Sequence, residues 1–246
     1  MLLHGVGHRR QAFGAVVDLL APERELILID LPGHGESPPL VTGERPPVGV
    51  MLEAVLGLLA DLGLDRPHMA GNSLGGLLAL EAGVAGRAAS VTALSPAGFF
   101  RGRRDVRYAR AVFRTMQAAG ARLEPVGPAL LRTTAGRGLV YGAVLSRPSR
   151  LTPEQAGDDM AAFLASADAL GTVLAGVGQF SGTIPADVPV TIAWGARDRL
   201  LSRRQAVVAR AVLPTAQFVL LPGRGHVPMT DAPELVAQVL LRGSGG

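Results

Sequence analysis

The chain has 246 residues, 48% of them apolar and 18% charged, with a formal net charge of +4 and no cysteine. That is apolar material for one sizeable core, in a single large domain or a domain with an insertion. The lack of cysteine excludes disulfides, thiolate nucleophiles and thiol-ligated metals, and no apolar run approaches the ~18 residues of a membrane helix.

Every basic residue is an arginine; there is no lysine. The two side chains differ too much for function to require arginine at each surface position. The basic balance therefore reads as a compositional bias, not as a nucleic-acid footprint. Nothing ahead of Leu2-Leu3 has the charge of a signal region. The expectation is a soluble, cytoplasmic protein without a nucleic-acid or membrane partner.

In chain order, a helical pattern covers Gln11–Leu20 and "ELILID" (Glu25–Asp30) reads as a buried strand. Pro-rich loops follow at Leu31–Leu40 and Thr42–Pro47, then a helix at Val48–Asp61. "PHMAG" (Pro67–Gly71), a helix at Gly75–Ala85 and "SVTALS" (Ser90–Ser95) continue the alternation. After the stretch from Ala97 to Gly182 it resumes with "VPVTIAWG" (Val188–Gly195), a helix at Ser202–Val212, "QFVLLPG" (Gln217–Gly223) and a helix at Pro233–Leu241. Strand and helix in regular alternation imply right-handed crossovers and a mostly parallel sheet, an α/β fold.

The alternation breaks once. Between Ala97 and Gly182 only helical patterns occur, at Asp105–Gly120, Pro125–Thr134 and Pro153–Gly178, bounded by the turn formers of "SPAG" and "SGTIPADVP". The predicted organisation is a core of residues 1–96 and 183–241, a helical lid of 97–182 on the carboxyl edge of the sheet, and a disordered tail "RGSGG" of 242–246.

Gly71-Asn72-Ser73-Leu74-Gly75 fits G-x-S-x-G, in which glycines let a strand turn sharply into a helix with the serine exposed at the bend. A serine needs a base to take its proton, and an imidazole needs an acid to fix its tautomer. Asp198, in "WGARDRLL", and His226, in "LPGRGHVPM", each follow a strand, so both fall on the same sheet edge as Ser73. The order Ser…Asp…His is the one such folds use.

With "LLHGVG" (Leu2–Gly7), "DLPGHGES" (Asp30–Ser37) and "GRGHVPMTDAPE" (Gly223–Glu234), the chain resembles the α/β-hydrolase superfamily with a helical cap, nearly end to end. The resemblance implies a catalytic triad of Ser73, Asp198 and His226, and an oxyanion hole from the backbone N–H groups of Val6 and Leu74. Physics agrees for Leu74, which opens a helix where N–H groups are unpaired. Relatives usually carry one or two strands before the "HG" strand. Here that strand is Met1-Leu2-Leu3, expected in mid-sheet, so the N-terminal strands read as truncated. A neighbouring edge is left exposed, which invites dimer pairing.

His4, which lies near the site, and His34 read as structural residues in Gly-rich loops, His8 as a solvated helix start with a place in the pocket as its alternative, and His68 as a packing residue. Asp30 competes with Asp198 for the acid role but precedes Ser73. The candidates for lining a substrate pocket are His4, Phe99, Phe100, Arg107 and Val227. Arg103, Arg107, Arg110 and Arg114 share one helix face, either as a solvated surface or as a site for a carboxylate or the phosphates of an acyl carrier. No metal-ligand spacing or phosphate loop occurs, so no metal or cofactor is expected.

The reading is a serine hydrolase of small to medium carboxylic esters, lactones or thioesters acting through an acyl-enzyme on Ser73. Serine at that position argues against the dehalogenase and epoxide-hydrolase branches. "GNSLGG" and "LSPAGFF" also resemble carbon–carbon bond hydrolases, cofactor-free perhydrolases share the triad, and a ligand receptor with an idle triad is the alternative from another class.

Overall fold

Leu2 and Leu3 face opposite sides of a sheet, as successive strand residues must, and the same division repeats along the central strands. In the computed structural model, which describes residues 1–123 and 126–245, the strands are β1 (Leu2–Leu3), β2 (Leu28–Ile29), β3 (His68–Asn72), β4 (Ser90–Leu94), β5 (Val190–Gly195) and β6 (Gln217–Leu221). They form one sheet in the order β2-β1-β3-β4-β5-β6, parallel throughout. Leu3, Met69, Val91, Ile192 and Trp194 enter one core. Leu2, Ala70, Leu94 and Ala193 enter the other.

Helices α1 (Gly14–Leu20), α10 (Pro228–Asp231) and α11 (Pro233–Gly243) cover the second face, while α2 (Pro47–Asp61), α3 (Leu74–Val84) and α9 (Arg204–Val212) cover the first. Nearly every residue of α3 is buried, so its apolar run is that of a helix packed on all sides. From β1 the chain steps outward to β2, then returns past β1 to β3. The reversal leaves a crevice beyond the carboxyl ends of β1 and β3, where open α/β sheets bind ligands. β2 forms one sheet edge and is only two half-buried residues long, too short to template further pairing.

Between β4 and β5 lie α4 (Arg103–Leu123), α5 (Gly127–Leu131), α6 (Thr134–Tyr141), α7 (Pro153–Ala165) and α8 (Ala167–Gly176), with no strand among the described residues. The two ends of this insertion meet in a neck. Phe180 N–H donates to Gly98 O at 2.8 Å, and Phe100 N–H donates to Gln179 Oε1 at 2.9 Å.

Three expectations about these helices need correction. The pattern at Pro125–Thr134, whose Pro125 lies outside the described residues, is two helices, α5 and α6, the second running on to Tyr141. Thr133 is extended and its Oγ1 accepts the Gly136 N–H at 2.9 Å, capping a new helix instead of continuing the old one. Pro153–Gly178 is interrupted at Ser166, whose hydroxyl donates to Phe163 O at 3.0 Å, and the two pieces are bent by 62°. The tail is ordered further than expected. Helix α11 continues through Gly243, where a Cβ would sit 2.1 Å from Thr92 Oγ1, and Arg24 Nε donates to Ser244 Oγ at 3.2 Å. Gly246 lies outside the described residues. No single described helix is long and apolar enough to cross a membrane.

Candidate active site

Strand β3 ends at Asn72 and α3 begins at Leu74, so Ser73 carries the whole change of direction. Its φ of 57° and ψ of −114° lie outside the regions ordinary residues prefer. The flanking glycines make this bend sterically feasible. A Cβ on Gly71 would sit 2.2 Å from the Gly75 carbonyl, and one on Gly75 would sit 2.0 Å from the Leu3 carbonyl oxygen. Helix and strand cross at backbone contact, which any side chain would forbid. Ser73 is held by its own amide, which donates to Leu94 O at 3.0 Å.

Asp198 follows β5. Its Oδ1 accepts the N–H groups of Leu200 at 2.9 Å and Leu201 at 2.8 Å, and Trp194 Nε1–H holds that loop through Leu201 O at 2.9 Å. The remaining oxygen, Oδ2, lies 2.8 Å from His226 Nδ1, with both side chains almost fully buried. A carboxylate there places the ring proton on Nδ1 and leaves a lone pair on Nε2. His226 Nε2 is buried and has no hydrogen-bond partner among the described residues. Ser73 and His226 both line one cavity of about 370 Å³. No hydrogen bond joins their side chains; such contacts often tighten only once substrate is bound.

Two side chains that the motifs did not flag position the histidine. Asn72 Nδ2 donates to both Leu94 O and His226 O at 2.9 Å, tying the serine turn to the histidine loop. Asp231 is fully buried and accepts the Gly225 N–H at 2.7 Å, the Arg147 N–H at 2.8 Å and the Ser146 N–H and hydroxyl. Asp231 lay within the quoted "GRGHVPMTDAPE" stretch, but no role attached to it there.

Val6 also lines the cavity. Neither its N–H nor that of Leu74 has an acceptor among the described residues, and the Leu74 N–H belongs to the open first turn of α3.

The other candidates divide sharply. Val227 lines the cavity, but His4, Phe99, Phe100 and Arg107 do not. His4 is fully buried, its Nε2 accepting the Leu31 N–H at 2.9 Å and its Nδ1 facing Gly5 O at 2.8 Å. Burial and the neighbouring His34 push its pKa down to about 3. Phe99 packs on Phe180 with ring centroids 5.6 Å apart, Phe100 belongs to the neck, and Arg107 is exposed. His34 is structural, accepting the Gly7 N–H at 3.0 Å.

His68 is exposed rather than packed, because the start of β3 reaches the sheet's open end; its ring meets Ser90 Oγ at 2.9 Å. His8, read first as a solvated helix start, takes the alternative place and lines the cavity. Asp30 is occupied elsewhere: it accepts the Arg10 and Glu36 N–H groups and pairs with the Arg10 guanidinium. These contacts overcome the desolvation that opposes them and hold its pKa below the usual carboxylate range.

The arginine stripe is interrupted as well, since Arg110 Nε and Nη2 donate to Leu174 O and Ala175 O at the end of α8. Among the described residues no group of three His, Asp or Glu could hold a metal ion.

Comparison with known proteins places this architecture. The chain is 29% identical over 248 residues to a dihydrolipoyllysine-residue acetyltransferase component of an acetoin cleaving system from Pseudomonas putida, covering 98% of this chain and 62% of the relative's length. It superposes on a thermophilic esterase from Thermogutta terrifontis with a TM-score of 0.72 at 22% identity, covering 98% of this chain and 87% of that one. On 2-hydroxy-6-oxo-6-phenylhexa-2,4-dienoate hydrolase from Rhodococcus the TM-score is 0.74 at 19% identity, covering 100% and 89%. The model of the alpha/beta hydrolase family matches residues 1–239, and the chain belongs to that family.

Proposed function

We propose that this protein is a serine hydrolase of small to medium carboxylic esters, lactones or thioesters. The observation that carries the reading is the 2.8 Å pair between His226 Nδ1 and Asp198 Oδ2, which leaves a buried, unpartnered Nε2 on the cavity that Ser73 also lines.

In this reading Ser73 Oγ attacks the substrate carbonyl carbon while His226 Nε2 takes the hydroxyl proton, and Asp198 stabilises the imidazolium that results. The negative charge on the former carbonyl oxygen is received by the N–H groups of Val6 and Leu74, each such donor contributing about 3 kcal/mol in comparable sites. The tetrahedral adduct collapses as His226 returns the proton to the departing alcohol or thiol, leaving an ester on Ser73. Water then attacks that ester with its proton passing to Nε2, and the acid is released as Nε2 returns the proton to Ser73 Oγ. Phe113, Met116, Phe163 and Leu200 among the lining residues suit an apolar acyl chain.

The test is p-nitrophenyl butyrate hydrolysis. Ser73→Ala is expected to lose ~10³-fold or more in kcat while keeping its fold, and a fluorophosphonate should label the native chain at Ser73 alone. Equal activity in the two proteins would refute the assignment.

A further inference from the structure

The cavity beside Ser73 is apolar over most of its wall, and apart from His226 one imidazole and one carboxylate side chain interrupt it. His8 follows the Gly5-Val6-Gly7 turn, and Asp159 projects from α7, so one comes from the sheet and the other from the insertion. His8 Nδ1 accepts the Arg9 N–H at 3.1 Å, so in the neutral ring the proton sits on Nε2. That nitrogen lies 3.9 Å from Asp159 Oδ2, with the two side chains 22% and 17% exposed. The separation is too long for a direct hydrogen bond, both residues line the cavity, and no hydrogen bond among the described residues engages His8 Nε2 or the Asp159 carboxylate. Burial disfavours charge on both, pushing the His8 pKa down and the Asp159 pKa up despite their mutual attraction.

A latch between insertion and core would not need this arrangement. The neighbouring pair already supplies one, with Arg9 Nη2 bonded to Asp158 Oδ2 at 3.1 Å on the outer side, away from the cavity lining. We infer that His8 and Asp159 form a recognition site for a hydroxyl group on the acyl substrate. One oxygen placed about 2.8 Å from each atom spans the gap, accepting from His8 Nε2–H and donating to Asp159. An ammonium group would satisfy only Asp159, and a carboxylate only His8. The inference rests on the ester-hydrolase reading and narrows it to hydroxyacyl substrates.

The experiment compares kcat/KM for p-nitrophenyl hexanoate with its 3-hydroxy and 6-hydroxy derivatives. The native protein should favour at least one hydroxylated ester by about tenfold, the effect of one buried hydrogen-bonding group. Asp159→Leu and His8→Phe should each bring that ratio close to one, while Asp158→Ala, which removes only the outer pair, should retain it. No preference in the native protein, an unchanged ratio in Asp159→Leu, or the same loss of ratio in Asp158→Ala would overturn the proposal. Calorimetric binding of hexanoate against the hydroxyhexanoates to Ser73→Ala reads the same preference without turnover. The hydroxyl site is thereby decided even if no ester is cleaved, a result that would count against the hydrolase reading alone.

Discussion

Asp231 and His4 are both fully buried, yet they fail in different ways when disturbed. Removing the Asp231 carboxylate strands the N–H groups of Gly225, Ser146 and Arg147 together, and an unsatisfied buried donor costs about 1–3 kcal/mol. Asp231→Ala should therefore lower Tm by about 10 °C and reduce kcat as His226 loses its seat, while Asp231→Asn should recover part of both. Scanning calorimetry alongside ester turnover checks this.

His4 instead makes stability depend on pH. Its pKa falls from 6.5 to about 3 on folding, so below pH 6.5 the unfolded chain binds more protons than the folded one. Stability is then lost as pH drops through that window, with a slope from this group of up to about 1.4 kcal/mol per pH unit. Burial shifts His8 and His34 the same way. Urea midpoints measured from pH 7.5 down to 5 should fall in the native protein, and His4→Gln should flatten the decline without abolishing it.

Between β3 and α3, a methyl group is enough to break the element. Gly75→Ala would drive its Cβ into the Leu3 carbonyl, so the expected outcome is an insoluble protein or one with no esterase activity; wild-type turnover would show that the strand can yield. This turn was legible in the sequence because its cause is local: glycines on either side of a serine, an apolar strand before it and a helix after it. Asp198 and His226 could be placed by the same logic, each lying a few residues past a Val/Leu-rich strand.

The insertion was harder to read. Thr133 and Ser166 interrupt helical patterns through side-chain bonds to the backbone, and periodicity does not register such competition. Pocket lining was least legible, since Phe99 and His8 differ only in which tertiary surface meets them. Phe99 is taken up by Phe180, whereas His8 is left facing the cavity.

Across the whole molecule the insertion is fastened to the core at more than its neck. Val144 O accepts the N–H groups of both His226 and Val227, and Asp231 grips Ser146 and Arg147. Amide hydrogen exchange should show Ser146, Arg147 and His226 protected as one unit, with that protection lost jointly in Asp231→Ala. Independent exchange at the three sites would argue against the coupling.

That fastening makes the molecule an interlock. A segment 144–147 that lifts away must release the His226 and Val227 amides at the same moment. That release frees the backbone amides beside the imidazole that meets Asp198, leaving Asn72 to hold the His226 carbonyl. Under the hydrolase role proposed above, such a release would loosen the proposed base at the moment it exposed Ser73 to water, which would tie turnover to the seated position of this segment.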